Sequence, residues 1–242
     1  MNIKTMWGLL IGIAVTVAGV TAASAATSGG IGISATRIIY KEGQPSTVKL
    51  TNSSTTSAYL MSVKIAQNSS GEGRSPFIAS PAVFRLEPQS ENSVRIVGDG
   101  RGLPRDRESV FYFSAVGIPS SNPLARGNND GYVSGNMVFS AGNVIKLFWR
   151  PAGLVSSPEE AIKNLQFSHA AGGMRIKNAS PYYISLARLS VGNAPVMLDG
   201  KKGPLMLAPF ADSVWPVSGS GKVTWKAVND YGGIVEASGV VQ

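Results

Sequence analysis

The amino-acid sequence predicts an all-β protein made of two β-sandwich domains in tandem. Short segments in which apolar and polar residues alternate recur along the chain, and Gly, Pro, Asn and Ser separate them. A break at Arg150-Pro151-Ala152-Gly153 divides these segments into two sets, because proline donates no ladder hydrogen bond and glycine frees the backbone. We therefore expect one domain over residues 26–150 and a second over residues 151–242, with a hinge between them.

The first residues predict a secretory signal peptide over residues 1–25. Lys4 precedes an apolar run over residues 6–20, and Ala23-Ser24-Ala25 supplies the small residues of a cleavage site. The run is too short for a comfortable membrane span, and an N-terminal membrane anchor is the alternative. No later segment is apolar enough to span a membrane, so we expect an exported protein that is released from the membrane.

Seven strands are predicted in the first domain. They cover residues 31–40, 46–52, 58–66, 77–86, 93–97, 110–116 and 133–141. Short strands at turn-bounded intervals are typical of an immunoglobulin-like sandwich, and the short polar loops favour antiparallel pairing. The last strand has an apolar face that includes Val133, Met137, Phe139 and Ala141. We interpret it as a strand that pairs with something outside its own fold.

The second domain is predicted to begin with a short helix. Ser157, Pro158 and Glu160 occupy the N-cap, N1 and N3 positions of a capping box, and the helix is expected to run through Asn164. Six strands follow, over residues 165–167, 174–178, 182–191, 213–217, 223–229 and 233–240.

The residue content gives no support to enzyme function. The chain has no cysteine and one histidine, His169, which we expect in an exposed loop, so neither a metal site nor a nucleophile pair is easy to assemble. The glycines of residues 98–102 are followed by Pro104 instead of a helix, so they predict a hairpin loop and no phosphate site. We expect no cofactor, no bound metal and no small-molecule substrate. The net charge of +8 is scattered along the chain, so we expect no nucleic-acid binding either.

Two cations stand among apolar residues and need an explanation. Arg37 interrupts an apolar face formed by residues 31, 33, 35 and 39, and Lys146 lies between Ile145 and Leu147. A half-buried cation requires a partner, because desolvation penalises its charged form. Either acidic residues of the same fold serve as that partner, or both cations face a cleft and bind an external anion.

Six segments, in the same order along the chain, resemble those of periplasmic chaperones of pilus assembly. They are residues 36–40 (TRIIY), 103–109 (LPRDRES), 145–151 (IKLFWRP), 178–183 (NASPYY), 207–210 (LAPF) and 229–232 (NDYG). The resemblance spans nearly the whole chain after the signal peptide. It implies two immunoglobulin-like domains at an angle, with a cleft between them.

The resemblance also implies a role for each candidate residue. Arg37 and Lys146 would anchor the terminal carboxylate of a pilus or fimbrial subunit. The strand with Val133, Met137, Phe139 and Ala141 would complete the subunit's sheet by donor-strand complementation. An interdomain ion-pair network would fix the angle between the domains, and it falls on Glu108, Arg150 and Asp230.

The resemblance further implies a non-enzymatic chaperone that folds, caps and delivers subunits to an outer-membrane usher in the periplasm. Only 14 residues lie between Ile118 and Val133, and the chain lacks a cysteine pair, which favours the short-loop branch of the family. Self-association of the free chaperone would protect its apolar edge. The alternative is a tandem immunoglobulin-like binding or adhesive protein whose apolar edge serves its own packing.

Overall fold

A computed structural model of the chain describes residues 30–120, 140–192, 194–201 and 203–242, without the side chain of Ala141. The predicted strand residues Val133, Met137 and Phe139 therefore lie outside the described residues. Within those ranges the chain forms seventeen strands and one helix. The prediction of two immunoglobulin-like sandwiches in tandem is confirmed.

Nine strands, all before Pro151, build the first domain. They are β1 (Ile31–Ile33), β2 (Arg37–Lys41), β3 (Ser46–Asn52), β4 (Tyr59–Ala66), β5 (Ile78–Ser80), β6 (Val83–Leu86), β7 (Ser90–Val97), β8 (Ser109–Pro119) and β9 (Ala141–Arg150). One sheet has the order β1-β3-β7-β5 and the other the order β2-β9-β8-β4-β6. Their inner faces enclose an apolar core in which Leu50, Met61, Phe113 and Trp149 are almost completely buried.

Two predicted strands of this domain are each divided between the two sheets. The predicted strand over residues 31–40 breaks at residues 34–36, so that β1 pairs with β3 in one sheet while β2 pairs with β9 in the other. The predicted strand over residues 77–86 breaks at Pro81, which donates no ladder hydrogen bond, and β5 and β6 also join different sheets. The β2–β9 pair is parallel, so the expectation of antiparallel pairing is wrong there.

The second domain contains the helix α1 (Pro158–Lys163) and eight strands. The strands are β10 (Gln166–Ala170), β11 (Gly173–Lys177), β12 (Ile184–Val191), β13 (Ala194–Val196), β14 (Met206–Leu207), β15 (Asp212–Trp215), β16 (Lys222–Val228) and β17 (Ile234–Val240). One sheet has the order β10-β11-β15, and the other has the order β13-β12-β16-β17 with β14 beside β12. The sequence analysis missed β13 and β14, which are only three and two residues long.

The predicted helix is confirmed with its capping box. The Ser157 hydroxyl accepts a hydrogen bond from the Glu160 N–H at 3.2 Å, and the Glu160 carboxylate accepts one from the Ser157 N–H at 2.9 Å. The helix packs on the second core, where the Trp225 indole N–H donates to the Ile162 carbonyl at 2.8 Å. His169 is exposed as expected, but it lies in strand β10 and not in a loop.

Candidate functional site

Strands β2 and β9 present one face to the first core and the other to the second domain. Ile38 and Tyr40 of β2 and Leu147 and Trp149 of β9 belong to the buried core. The alternate residues Arg37, Ile39, Phe148 and Arg150 line a pocket together with residues of the second domain, and Lys146 has the same parity as Phe148 and Arg150. The expectation that Arg37 shares a face with Ile31 and Ile33 is therefore wrong, whereas Ile39 does lie on the same side as Arg37. The chain passes from one sheet to the other at residues 34–36. The side chain of Arg37 therefore lies on the face of β2 that is opposite to the core.

Arg37 and Lys146 stand directly opposite each other in the parallel β2–β9 ladder. Arg37 donates from Nη1 to the Val228 carbonyl of the second domain at 3.0 Å, whereas its buried Nε has no hydrogen-bond partner. Its guanidinium carbon lies 5.7 Å from the centroid of the Phe148 ring. Among the described residues, neither cation forms a salt bridge with a carboxylate.

The pKa of both cations is lowered, chiefly by burial. Burial lowers the pKa of Lys146, and the positive charge of Arg37 lowers it further. Burial also lowers the pKa of Arg37, although the more distant carboxylates of Asp230 and Glu108 oppose that effect. Two adjacent cations whose charged forms are both disfavoured constitute a site that an anion would stabilise.

Arg150 makes three charged hydrogen bonds, of which the two with Asp230 cross to the second domain. Its Nε donates to Glu108 at 2.7 Å, and its Nη1 and Nη2 donate to the two carboxylate oxygens of Asp230 at 2.7 and 2.8 Å. Burial acts to lower the pKa of Arg150, but the hydrogen bonds with Asp230 and the charge of Glu108 outweigh it and raise this pKa. The bidentate geometry is the strongest form of an arginine–carboxylate contact.

Glu108 is the buried member of this network, with 3% of its surface exposed. Besides Arg150, its carboxylate accepts a hydrogen bond from the Tyr183 N–H at 2.8 Å, and its own N–H donates to the Pro181 carbonyl at 2.9 Å. Burial raises the pKa of Glu108, and Arg150 and the Tyr183 N–H oppose that effect. Glu108 is therefore fully paired, with Arg150 in its own domain and with the Tyr183 and Pro181 backbone of the second domain.

Aromatic contacts complete the domain interface, and the sequence analysis assigned them no role. The rings of Phe148 and Tyr183 lie 5.7 Å apart, and Arg107 lies over the Phe210 ring at 4.9 Å. The two-residue period of Lys146, Phe148 and Arg150 is the signal that would have placed Phe148 in the cleft. No periodicity indicates Tyr183, because its partner belongs to the other domain.

A tight turn of the second domain, residues 229–233 between β16 and β17, adjoins the cation pair. The Asn229 side-chain oxygen accepts hydrogen bonds from the N–H groups of Tyr231 and Gly233, at 3.1 and 2.8 Å. Gly232 has a φ of +84°, and a Cβ atom there would lie 2.3 Å from Thr36 Oγ1. Glycine is required at this position both for the backbone conformation and for the close approach to Thr36.

Along one edge of β9, only the second half of the strand pairs with another described strand. Residues 146–149 pair with β2 on one side and with β8 on the other, whereas residues 141–145 pair with β8 alone among the described strands. Val144 is 47% exposed on this stretch. Ala141 begins β9 and its backbone pairs with Gly117, while its side chain lies outside the described residues. An open ladder edge thus leads directly to Lys146.

Two further observations concern metals and membranes. In the part of the chain that the structure describes, no group of three or more His, Asp or Glu side chains could hold a metal ion. In the same part, no helix has the length and apolar content needed to cross a membrane.

Comparison with protein families gives matches to both halves of the chain. Residues 30–155 match the family model described as pili and flagellar-assembly chaperone, PapD N-terminal domain. Residues 160–239 match the model described as pili assembly chaperone PapD, C-terminal domain.

Individual relatives are similar over most of their length. The probable fimbrial chaperone SfmC of Escherichia coli K12 is 36% identical, over 89% of this chain and 90% of its own. The crystal structure of the periplasmic chaperone SfaE matches with a TM-score of 0.67 and 29% identity, over 88% of this chain and 99% of that one. The SafB chaperone of Salmonella enterica, solved in complex with the SafA pilin, matches with a TM-score of 0.72 and 26% identity, over 87% and 96% of the two chains.

Proposed function

The chain belongs to the family of pili and flagellar-assembly chaperones, and on that premise we propose that its interdomain cleft anchors a fimbrial subunit by the subunit's C-terminal carboxylate. The resemblance predicted from the sequence is confirmed by the matches to both family models. The protein is a chaperone of fimbrial assembly, as its relatives are, and the alternative of a tandem adhesive protein finds no support.

One observation carries the proposed anchor: Arg37 and Lys146 are adjacent and half-buried, and neither has a carboxylate partner among the described residues. A carboxylate in this position would take hydrogen bonds from the Arg37 guanidinium and from the Lys146 ammonium. It would also remove the repulsion between the two cations.

We further propose that the strand upstream of Lys146 is donated to the subunit. Residues 137, 139 and 141 have the same parity as the core residues 145, 147 and 149, so a regular continuation of β9 would turn Met137, Phe139 and Ala141 toward the apolar groove of a subunit. Burial of Met137 and of Phe139 would each contribute roughly 1.5–3 kcal/mol before the cost of ordering the strand. The open edge of β9 at residues 141–145 is where such pairing would begin.

The proposed location of this activity is the periplasm, reached by export with residues 1–25 as signal peptide. The similar chaperone SfaE is described as periplasmic. Residues 26–150 and 151–242 are the proposed mature domains, and an outer-membrane usher is the proposed recipient of the subunit. We propose no catalytic step, since capture and release of a subunit need only binding free energy.

The anchor is tested by co-purification from periplasmic extracts with a fimbrial subunit that is encoded beside the chaperone. We expect Arg37→Ala and Lys146→Ala to abolish recovery of the subunit while the variants stay folded, as judged by circular dichroism. Lys64→Ala is the matched control, because Lys64 is an exposed lysine of β4 in the same domain. Undiminished recovery with both cleft variants would overturn the proposed anchor.

A further inference from the structure

The pocket that contains Arg37 has very little free space. It is lined by Arg37, Phe148, Tyr183, Asn229 and Asp230, and its free volume is about 10 Å³. That space is comparable with what one water molecule occupies. The carboxylates of Glu108 and Asp230 line it and Lys146 does not. A subunit carboxylate held between Arg37 and Lys146 would therefore stay at the mouth of the pocket, and the side chain of the subunit's last residue would stay outside it. That side chain must lie at the rim of the pocket.

The 229–233 turn forms the rim on the side of the second domain. Asn229 and Asp230 line the pocket, and the next residue along the turn is Tyr231. The turn is held by the Asn229 side chain and by the contact of Gly232 with Thr36, the residue that precedes Arg37. Its backbone is therefore fixed relative to the cation pair.

Tyr231 is 92% exposed on this fixed turn. An aromatic ring exposed to this extent gains much apolar contact when a partner covers it, and it loses few rotamers on binding. Among the described residues, the other large apolar side chains that are more than two-thirds exposed are Val155 and Met197. Neither adjoins a residue that lines the pocket, whereas Tyr231 directly follows Asn229 and Asp230. Tyr231 thus combines exposure, a braced backbone and proximity to the proposed anchor.

We propose that Tyr231 contacts the side chain of the subunit's last residue and thereby selects subunits by their C-terminal residue. The proposal rests on the carboxylate anchor described above. It assigns a part of client recognition to the second domain, through a residue that takes no part in holding the two domains together.

The test measures the affinity of the purified chaperone for a peptide that ends with the C-terminal segment of its co-purifying subunit. A second peptide carries glycine as its last residue. We expect Tyr231→Ala to weaken binding of the natural peptide about tenfold, because truncation removes the contact of an aromatic ring. The same substitution should leave the affinity for the glycine-ended peptide unchanged, and Tyr231→Phe should preserve both affinities.

Two outcomes would overturn the proposal. Equal binding of the natural peptide by the wild type and by Tyr231→Ala would show that the ring makes no contact, and an equal loss for both peptides would show that it contacts another part of the client. Met197→Ala is the matched control, since Met197 is 68% exposed in the same domain and does not line the pocket. Failure of the anchor itself is recognised separately, because Arg37→Ala would then bind both peptides as the wild type does.

Discussion

At the scale of single residues, the two arginines of the cleft differ in how many of their donors are used. Arg150 directs three nitrogen atoms to two carboxylates, whereas Arg37 uses only Nη1, on a backbone carbonyl. A guanidinium has five N–H donors in a fixed fork. The N–H donors of Arg37 without a partner among the described residues, together with the ammonium of Lys146, are the groups that would hold a carboxylate in the proposed anchor.

The lowered pKa of Lys146 predicts a pH dependence of subunit binding. A bound carboxylate stabilises the protonated lysine, so the complex holds more protons than the free chaperone, and affinity falls as the pH rises. Since burial and Arg37 lower the pKa of Lys146 below its ordinary value of 10.5, this fall should begin at a lower pH than an exposed lysine would give. Calorimetric titrations with the subunit, at pH values between neutral and 10.5, measure this fall in affinity.

The variant Lys146→Met provides the control for this titration. It has no titrating ammonium at the site, so its weaker binding should stay constant over the same range. Burial raises the pKa of Tyr183, whose ring contacts Phe148, so the ionisation of this phenol moves to higher pH. If the affinity of Lys146→Met for the subunit fell by an equal factor at alkaline pH, the role assigned to Lys146 would be contradicted.

At the scale of secondary-structure elements, the sheet change at residues 34–36 creates the site. Before it, β1 pairs with β3, and after it, β2 pairs with β9. The parallel β2–β9 pairing places Arg37 directly opposite Lys146. Gly232 of the 229–233 turn contacts Thr36, which lies between β1 and β2. The position of the cation pair thus depends on a contact between the domains.

Replacement of Gly232 tests that dependence. Gly232→Ala should cost about 1–3 kcal/mol of unfolding free energy from its backbone conformation, and its overlap with Thr36 should in addition weaken subunit binding. Gly221→Ala is the matched control, because Gly221 has a φ of +89° and open space around it. Denaturant unfolding and titration with the subunit separate the two effects.

The Gly232 prediction also has a compensating variant. Thr36→Ala removes the oxygen that a Cβ atom at position 232 would meet, so combining it with Gly232→Ala should restore part of the affinity. Subunit affinity equal to the wild type in Gly232→Ala alone would contradict the coupling between the turn and the cation pair.

Much of the element structure could be predicted from sequence because its signals are local. The capping box of Ser157 and Glu160 and the alternation within β3, β4 and β16 require no knowledge of distant residues. The division of the 31–40 strand could not be predicted in this way. It depends on which distant strand each half pairs with, and alternation alone carries no such information.

The same limit explains the sequence-level result for the site. Arg37 and Lys146 could be singled out as cations among apolar residues, but their side of the sheet could not, because Arg37 shares its parity with Ile33 only if the strand is continuous. Phe148 and Tyr183 were missed since an aromatic residue in a strand ordinarily indicates core. Their role depends on the docking of two separate domains.

At the scale of the whole molecule, the two domains have separate cores and a charged joint. One core is formed by residues 31–149 and the other by residues 161–227, and Arg150, Glu108 and Asp230 connect them. Such a joint is stiff because its hydrogen bonds are directional and partly buried.

Removal of Asp230 should uncouple the domains. Asp230→Ala deprives Arg150 of two hydrogen bonds, so we expect the free energy of unfolding to fall by about 1–3 kcal/mol. We also expect the single calorimetric unfolding transition to separate into two. Asp212→Ala is the matched control in the same domain, because its salt bridge with Arg175 is exposed and 3.3 Å long. Coupled unfolding in Asp230→Ala, as in the control, would contradict the role of the joint.

The central claim, that the cleft holds a fimbrial subunit by its terminal carboxylate, is tested most directly by removing that charge from the subunit. Calorimetry would compare a peptide of the subunit's C-terminal segment with its amidated form, on the wild type and on the Arg37→Ala, Lys146→Met double variant. We predict that amidation weakens binding to the wild type at least about tenfold, the free energy of one charge-assisted hydrogen bond, and that it changes nothing for the double variant. Equal binding of the free and amidated peptides by the wild type would contradict the claim.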